Sequence, residues 1–168
     1  HDPSSTLKVP HRMFWGWLKS FVRVGQDGIN RVAYKDAKAS GVSELDTYLT
    51  LLRDVAVSKL ARSEQCAFWI NLYNAMTLRL VIDHYPIRSI RDIDISPGIF
   101  SDGPWGAKLV RIEEQDLSLD DIEHRILRPI WQDPRLHYGL NCASLGCPNL
   151  QLVPFHGHRL EAQLDAAA

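Results

Sequence analysis

Residues 63–84 constrain the fold more than any other part of the chain. Phe68, Leu72, Ala75, Met76 and Leu80 recur at helical spacing, and Cys66, Trp69, Tyr73 and Val81 widen the apolar surface. A helix with one apolar stripe lies at a surface, whereas one apolar over most of its girth has to be wrapped by other elements. Pro86 stops it, because proline clashes with the turn before it and restricts the residue ahead. In a chain of 168 residues, one such helix predicts a single domain built around it.

The flanking sequence supplies the wrapping. Residues 10–24 carry Met13, Phe14, Trp17, Leu18, Phe21 and Val22 on one helical face, broken by Gly25-Gln26-Asp27-Gly28. Residues 29–35 read as a short extended piece. Residues 43–56 form a second helix, with Leu45, Tyr48, Leu49, Leu52 and Val55 on one side. Pro97, Gly98, Gly103, Pro104 and Gly106 bend residues 87–106 into irregular chain. A strand is expected over 107–113. Ser118 and Asp121 have capping-box spacing for a helix running to about Arg128, before Pro129. Residues 136–140 read as another buried piece and 158–166 as a final helix. The fold class expected is α+β: a helix-rich single domain over residues 1–168 with a small antiparallel sheet.

Charge and composition narrow the partners. Nineteen basic and 20 acidic residues give a formal net charge of −1, so there is no long-range attraction to nucleic acid or to an anionic membrane. No run of eighteen apolar residues exists, and no transmembrane segment is expected. The Met-less, polar start His1-Asp2-Pro3 resembles a mature N-terminus, which predicts a periplasmic or secreted bacterial protein.

Chemistry is most suggested by Asn141-Cys142-Ala143-Ser144-Leu145-Gly146-Cys147-Pro148, where polar and thiol groups sit between an apolar segment and a Gly/Pro turn. A cysteine nucleophile needs a nearby imidazole to raise its thiolate fraction; His124, His137 and His84 are the candidates, and a plain structural cysteine is the bland alternative. Cys142 and Cys147 are spaced too widely for a zinc knuckle, and His156-Gly157-His158 reads as a solvent loop, so no metal or cofactor is expected. Glu64 and Asn71 share one face of the central helix, with Asn74 one turn on. Buried amides need hydrogen bonds. Bracing of irregular chain around 87–106 or 141–148 is preferred for them over orienting a catalytic histidine or an oxyanion. No phosphate loop, dinucleotide fingerprint, His-Glu-x-x-His helix or Gly-x-Ser-x-Gly elbow is present.

Three runs together resemble the DUF547 family: Ala67-Phe68-Trp69-Ile70-Asn71-Leu72-Tyr73-Asn74-Ala75 with His84-Tyr85-Pro86, residues 117–129, and residues 133–148. They cover roughly residues 62–150. The resemblance implies kinship with papain-like and transglutaminase-like thiol enzymes, and so an α+β fold with a cysteine facing a histidine. Cys66-Ala67-Phe68-Trp69 is faintly similar to a papain nucleophile run at a helix start, yet the family pattern places its cysteine at Cys142. His124 then precedes the nucleophile, a permuted order. The pattern also continues past residues 155–168 with an Asn-bearing strand and an aromatic-rich end, which predicts that part of the domain lies beyond Ala168.

Two functions follow as expectations. In the first, Cys142 attacks an amide or ester carbonyl of a peptide or small amide, His124 takes its proton with His137 in reserve, and Asn141 or Asn71 orients the base or the oxyanion. In the second, the chain is a non-catalytic binding or scaffold domain whose 87–106 loop, around Trp105, forms the recognition surface. A Cys142–Cys147 disulfide would contribute only on the order of 1–2 kcal/mol through so short a loop. Two free thiols are therefore expected, Cys142 facing a cleft and Cys147 packed behind it.

Overall fold

The computed structural model describes residues 1–98, 103–144 and 146–168. Its axis is α4 (Arg62–His84), in which Phe68, Leu72, Met76 and Leu80 are all buried. Burial extends right round this helix, to Ala67, Ile70, Ala75 and Leu78 on other faces. The girdle of apolar residues read from the sequence is thus the centre of the core.

Ahead of it come α1 (Arg12–Phe21), β1 (Val22–Val24), β2 (Asn30–Val32), α2 (Tyr34–Ser40) and α3 (Val42–Arg53). Helices α2 and α3 pack on α4, while α1 packs chiefly on α3, one layer further out than expected. Helix α1 buries Phe14, Trp17, Leu18 and Phe21. Trp17 donates its indole N–H to the Gly41 carbonyl at 2.9 Å. A Cβ on Gly41 would sit 2.6 Å from the Phe21 ring, so the close α1–α3 approach requires glycine there.

After α4 the chain forms β3 (Val110–Ile112) and β4 (Gln115–Leu117), a π-helix over Asp121–Leu127, α5 (Arg128–Trp131), α6 (Leu136–Gly139) and α7 (Leu160–Ala167). The strands make two separate antiparallel pairs, β1 with β2 and β3 with β4, where one small sheet was expected. Each strand is three residues long; β2 lies inside the extended piece read at 29–35 and β3 inside the strand expected over 107–113, while no alternation announces β1 or β4. The capping box is present: Ser118 N–H donates to Asp121 Oδ2 at 2.9 Å, and Asp121 N–H returns to Ser118 Oγ at 3.1 Å. The helix does not stop before Pro129. Arg128 N–H reaches back five residues to the Glu123 carbonyl, and this wider turn makes room for the proline ring. No helix among the described residues is long and apolar enough to cross a membrane.

Candidate functional site

The polar residues of α4 organise two places at its flank. The first is sealed. Glu64 is buried and accepts the Val9 N–H on Oε1 at 2.9 Å and the Gly157 N–H on Oε2 at 3.0 Å. Gly157 lies so close that a Cβ would fall 2.7 Å from the Glu64 nitrogen. Two turns on, Asn71 holds Phe155 by both backbone groups, accepting its N–H at 2.9 Å and donating to its carbonyl at 2.8 Å. That pairing fixes the amide's orientation, so Nδ2 also donates to His11 Nε2, 3.2 Å away. The ring proton of His11 must then sit on Nδ1 and be donated to Tyr48 Oη at 2.7 Å. Burial pulls the pKa of His11 down to about 3, with neighbouring His156 acting in the same direction. His11 is a neutral core histidine, and nothing in its local sequence marks it.

The second place is open. Asn74 donates to the Gly139 carbonyl at 2.9 Å and accepts the Asn141 N–H at 2.9 Å, delivering the chain into the 141–148 loop. Asn141 then spans the base of that loop: Nδ2 donates to the Pro148 carbonyl at 2.8 Å, and Oδ1 accepts the Ala143 N–H at 3.0 Å. Ala143 takes the left-handed conformation, φ 57°, uncommon for a residue with a Cβ. Across the loop Cys142 and Cys147 form a disulfide, their Cα atoms 6.0 Å apart. The expectation of two free thiols is corrected by this pairing: the turn around Gly146 brings the two sulfurs together. Cys66, the remaining cysteine, is buried in α4, and desolvation pushes its thiol up to about 12.

Beyond the disulfide the loop is tied to the β1–β2 hairpin. Asn149 Oδ1 accepts the Asn30 N–H at 2.8 Å, Asn149 Nδ2 donates to the Gly28 carbonyl at 2.7 Å, and Asn30 Nδ2 donates to the Leu150 carbonyl at 2.8 Å. Between loop and hairpin runs a cleft of about 300 Å³, walled by Ile29 to Val32 and Tyr34 on one side and by Asn141, Ala143, Ser144 and Cys147 on the other. Arg31, the one charged wall residue among the described residues, is held bidentately by Asp27 at 2.8 and 2.6 Å. Burial raises the Tyr34 phenol to about 12, so it stays protonated.

The predicted site residues are distributed unevenly about this cleft. Asn141 is in its wall and Cys142 is bonded to Cys147, which is also in the wall. Asn71 belongs to the sealed cluster. His124 is exposed on the π-helix, its Nε2 4.0 Å from Asp120 Oδ1. His137 is exposed on α6, its ring 5.5 Å from that of Tyr138. Neither imidazole lines the cleft. The two asparagines of α4 act as braces, Asn74 on the 141–148 segment as expected and Asn71 on Phe155, outside the segments named for it.

Of the 87–106 loop, residues 99–102 lie outside the described residues, as does Leu145. Trp105 is half-buried against the core. A second cavity of about 440 Å³ between α3 and α4 is rimmed by Arg79, which Asp46 and Asp83 neutralise, and no cysteine or histidine among the described residues lines it. Among the described residues no group of three His, Cys, Asp or Glu is placed to hold a metal ion.

A family model described as "Protein of unknown function, DUF547" matches residues 57–168. No curated protein and no solved structure matches the chain.

Proposed function

The chain belongs to the DUF547 family, and from that premise we propose that it is a binding domain whose cleft beside the disulfide loop takes an uncharged, extended peptide or small amide. The observation that carries this reading is the outer edge of β2, where among the described residues nothing accepts the Val32 N–H. Ala33 N–H bonds to the Phe21 carbonyl and Gly25 N–H to the Ile29 carbonyl, so Arg31 faces Arg23 as a bonded pair and the amides of Asn30 and Val32 point outward. Asn149 already answers Asn30 with its side chain. Val32 is left at the mouth of the cleft with strand-edge groups that one residue of an extended chain can complete. Arg31 is neutralised and the walls are amide, hydroxyl and apolar, which favours a ligand without charge. The disulfide supports an oxidising, extracytoplasmic compartment.

A pool of acetylated, amidated tetrapeptides followed by amide NMR tests this. Shifts should gather at Val32, Ala143 and Ser144. Val32→Pro removes the outward N–H without touching a hairpin bond and should weaken binding roughly fivefold to tenfold, the worth of one hydrogen bond. Shifts confined to residues 87–98 and Trp105, or none at millimolar peptide, would reject the cleft as the site.

The presence of Cys147 in the wall favours a second reading, the thiol-dependent acyl chemistry of a papain-like relative, available only to the reduced form. Under it a reduced protein turns over amide or ester substrates and a Cys142→Ala variant does not. Equal turnover by the two, or none by the reduced protein, dismisses it.

A further inference from the structure

We propose that the Cys142–Cys147 disulfide is a thiol–disulfide exchange site, reached through the cleft by a low-molecular-weight thiol that attacks the sulfur of Cys147. Which sulfur of a disulfide is attacked depends on access. Both cysteines are half-buried, and of the two it is Cys147 that lines the cleft. The residue before Cys147 is Gly146, exposed, and a Cβ built on it would meet nothing within 4 Å. Ser144, the other flank of the approach, is exposed as well.

In the exchange the incoming thiolate forms a bond to Cys147 Sγ as the bond between Cys147 and Cys142 breaks. Cys142 leaves as a thiolate and takes a proton from water, and the product is a mixed disulfide on Cys147. When Cys142 attacks that mixed disulfide, the small thiol departs and the original bond is restored. No other oxidant or reductant enters.

The loop is built for this to be reversible. Asn141 Nδ2 on the Pro148 carbonyl closes the base of the loop without help from the sulfurs, and Asn74 holds Asn141 from below. Opening the disulfide therefore leaves the two cysteines within reach of each other. Cys66 takes no part, because it is wholly buried and its thiol stays protonated.

The test uses the native oxidised chain, limiting reduced glutathione and an iodoacetamide trap, with peptide mapping by mass spectrometry. Glutathione is expected on Cys147 and carbamidomethyl on Cys142, with Cys66 unlabelled until denaturant is added. Glutathione on Cys142 in equal or greater yield, or no opening without denaturant, overturns the proposal. The exchange shares a cleft with the peptide reading but does not depend on it. Glutathione on Cys147 in a protein that shows no peptide shifts leaves the exchange standing, and peptide shifts in a protein whose disulfide does not open leave the peptide reading standing, so the two fail separately.

Discussion

Asn71 and Asn74 are one helical turn apart on the same helix and do the same job, each gripping a distant piece of backbone by its N–H and carbonyl groups. The surroundings differ. Asn71 holds Phe155 in a region where His11, Tyr48 and Glu64 are buried with it, whereas Asn74, itself buried, holds the buried Gly139 carbonyl and the half-buried Asn141, which lines the open cleft. A hydrogen bond made where water is excluded is worth little net, yet losing it strands its partner; where water can enter, the stranded group is rescued. The sealed cluster should therefore govern whether the domain folds, and the open one how the cleft is shaped.

Asn71→Ala breaks the comparison on its strong side. It leaves Phe155 N–H and C=O, and His11 Nε2, without partners in a dry site, and should cost about 3–5 kcal/mol in urea unfolding. A loss below about 1 kcal/mol would mean the cluster is wetter than its burial implies.

Acid should expose the same cluster next. The folded pKa of His11 is depressed to about 3 from about 6.5 in the unfolded chain. Below pH 6.5 the unfolded chain binds a proton that the fold refuses. Stability then falls as the pH drops, by up to about 1.4 kcal/mol per unit, until the fold itself is protonated near pH 3. His156 is shifted down too and adds in the same sense, while Tyr48 stays neutral throughout. Urea titrations at stepped pH should show this slope, and His11→Gln, though weaker at neutral pH, should flatten it.

The open side should answer more mildly. Replacing Cys142 and Cys147 together by serine should lower stability by no more than about 2 kcal/mol, the loop-closure entropy of so short a ring. Asn74→Ala should lose about 1–2 kcal/mol, because water reaches Asn141, and should broaden the amide resonances of residues 141–148 while leaving Phe155 sharp. If Asn74→Ala proved as costly as Asn71→Ala, the distinction between sealed and open would fail.

The sequence shows these two places unequally. The central helix is legible because its apolar residues run right round it and Pro86 limits it, and the Ser118–Asp121 cap because its signal is local. Glu64, Asn71 and Asn74 stand out as polar residues in an apolar helix, a pattern that announces buried bonds without naming the partners. Those partners are 55 to 93 residues away, as in Glu64 with Val9 and with Gly157. The tie of Asn30 to Asn149 spans 119 residues. His11, not singled out within the 10–24 stretch, acquires its role only from Tyr48 and Asn71. The disulfide was decided by the turn at Gly146, where spacing alone permits either outcome. The extended piece at 29–35 holds β2, but its three-residue partner β1 falls at the end of the stretch read as helix, which hid the hairpin that makes one wall of the cleft.

Glu64 has a consequence for how the chain folds. Its two oxygens are claimed by Val9, ahead of it, and by Gly157, 93 residues behind. Burying a carboxylate with either oxygen unanswered is costly, so the flank of α4 can close at low cost only when both segments have docked on it. One side chain thereby makes the arrival of two distant stretches a single cooperative event.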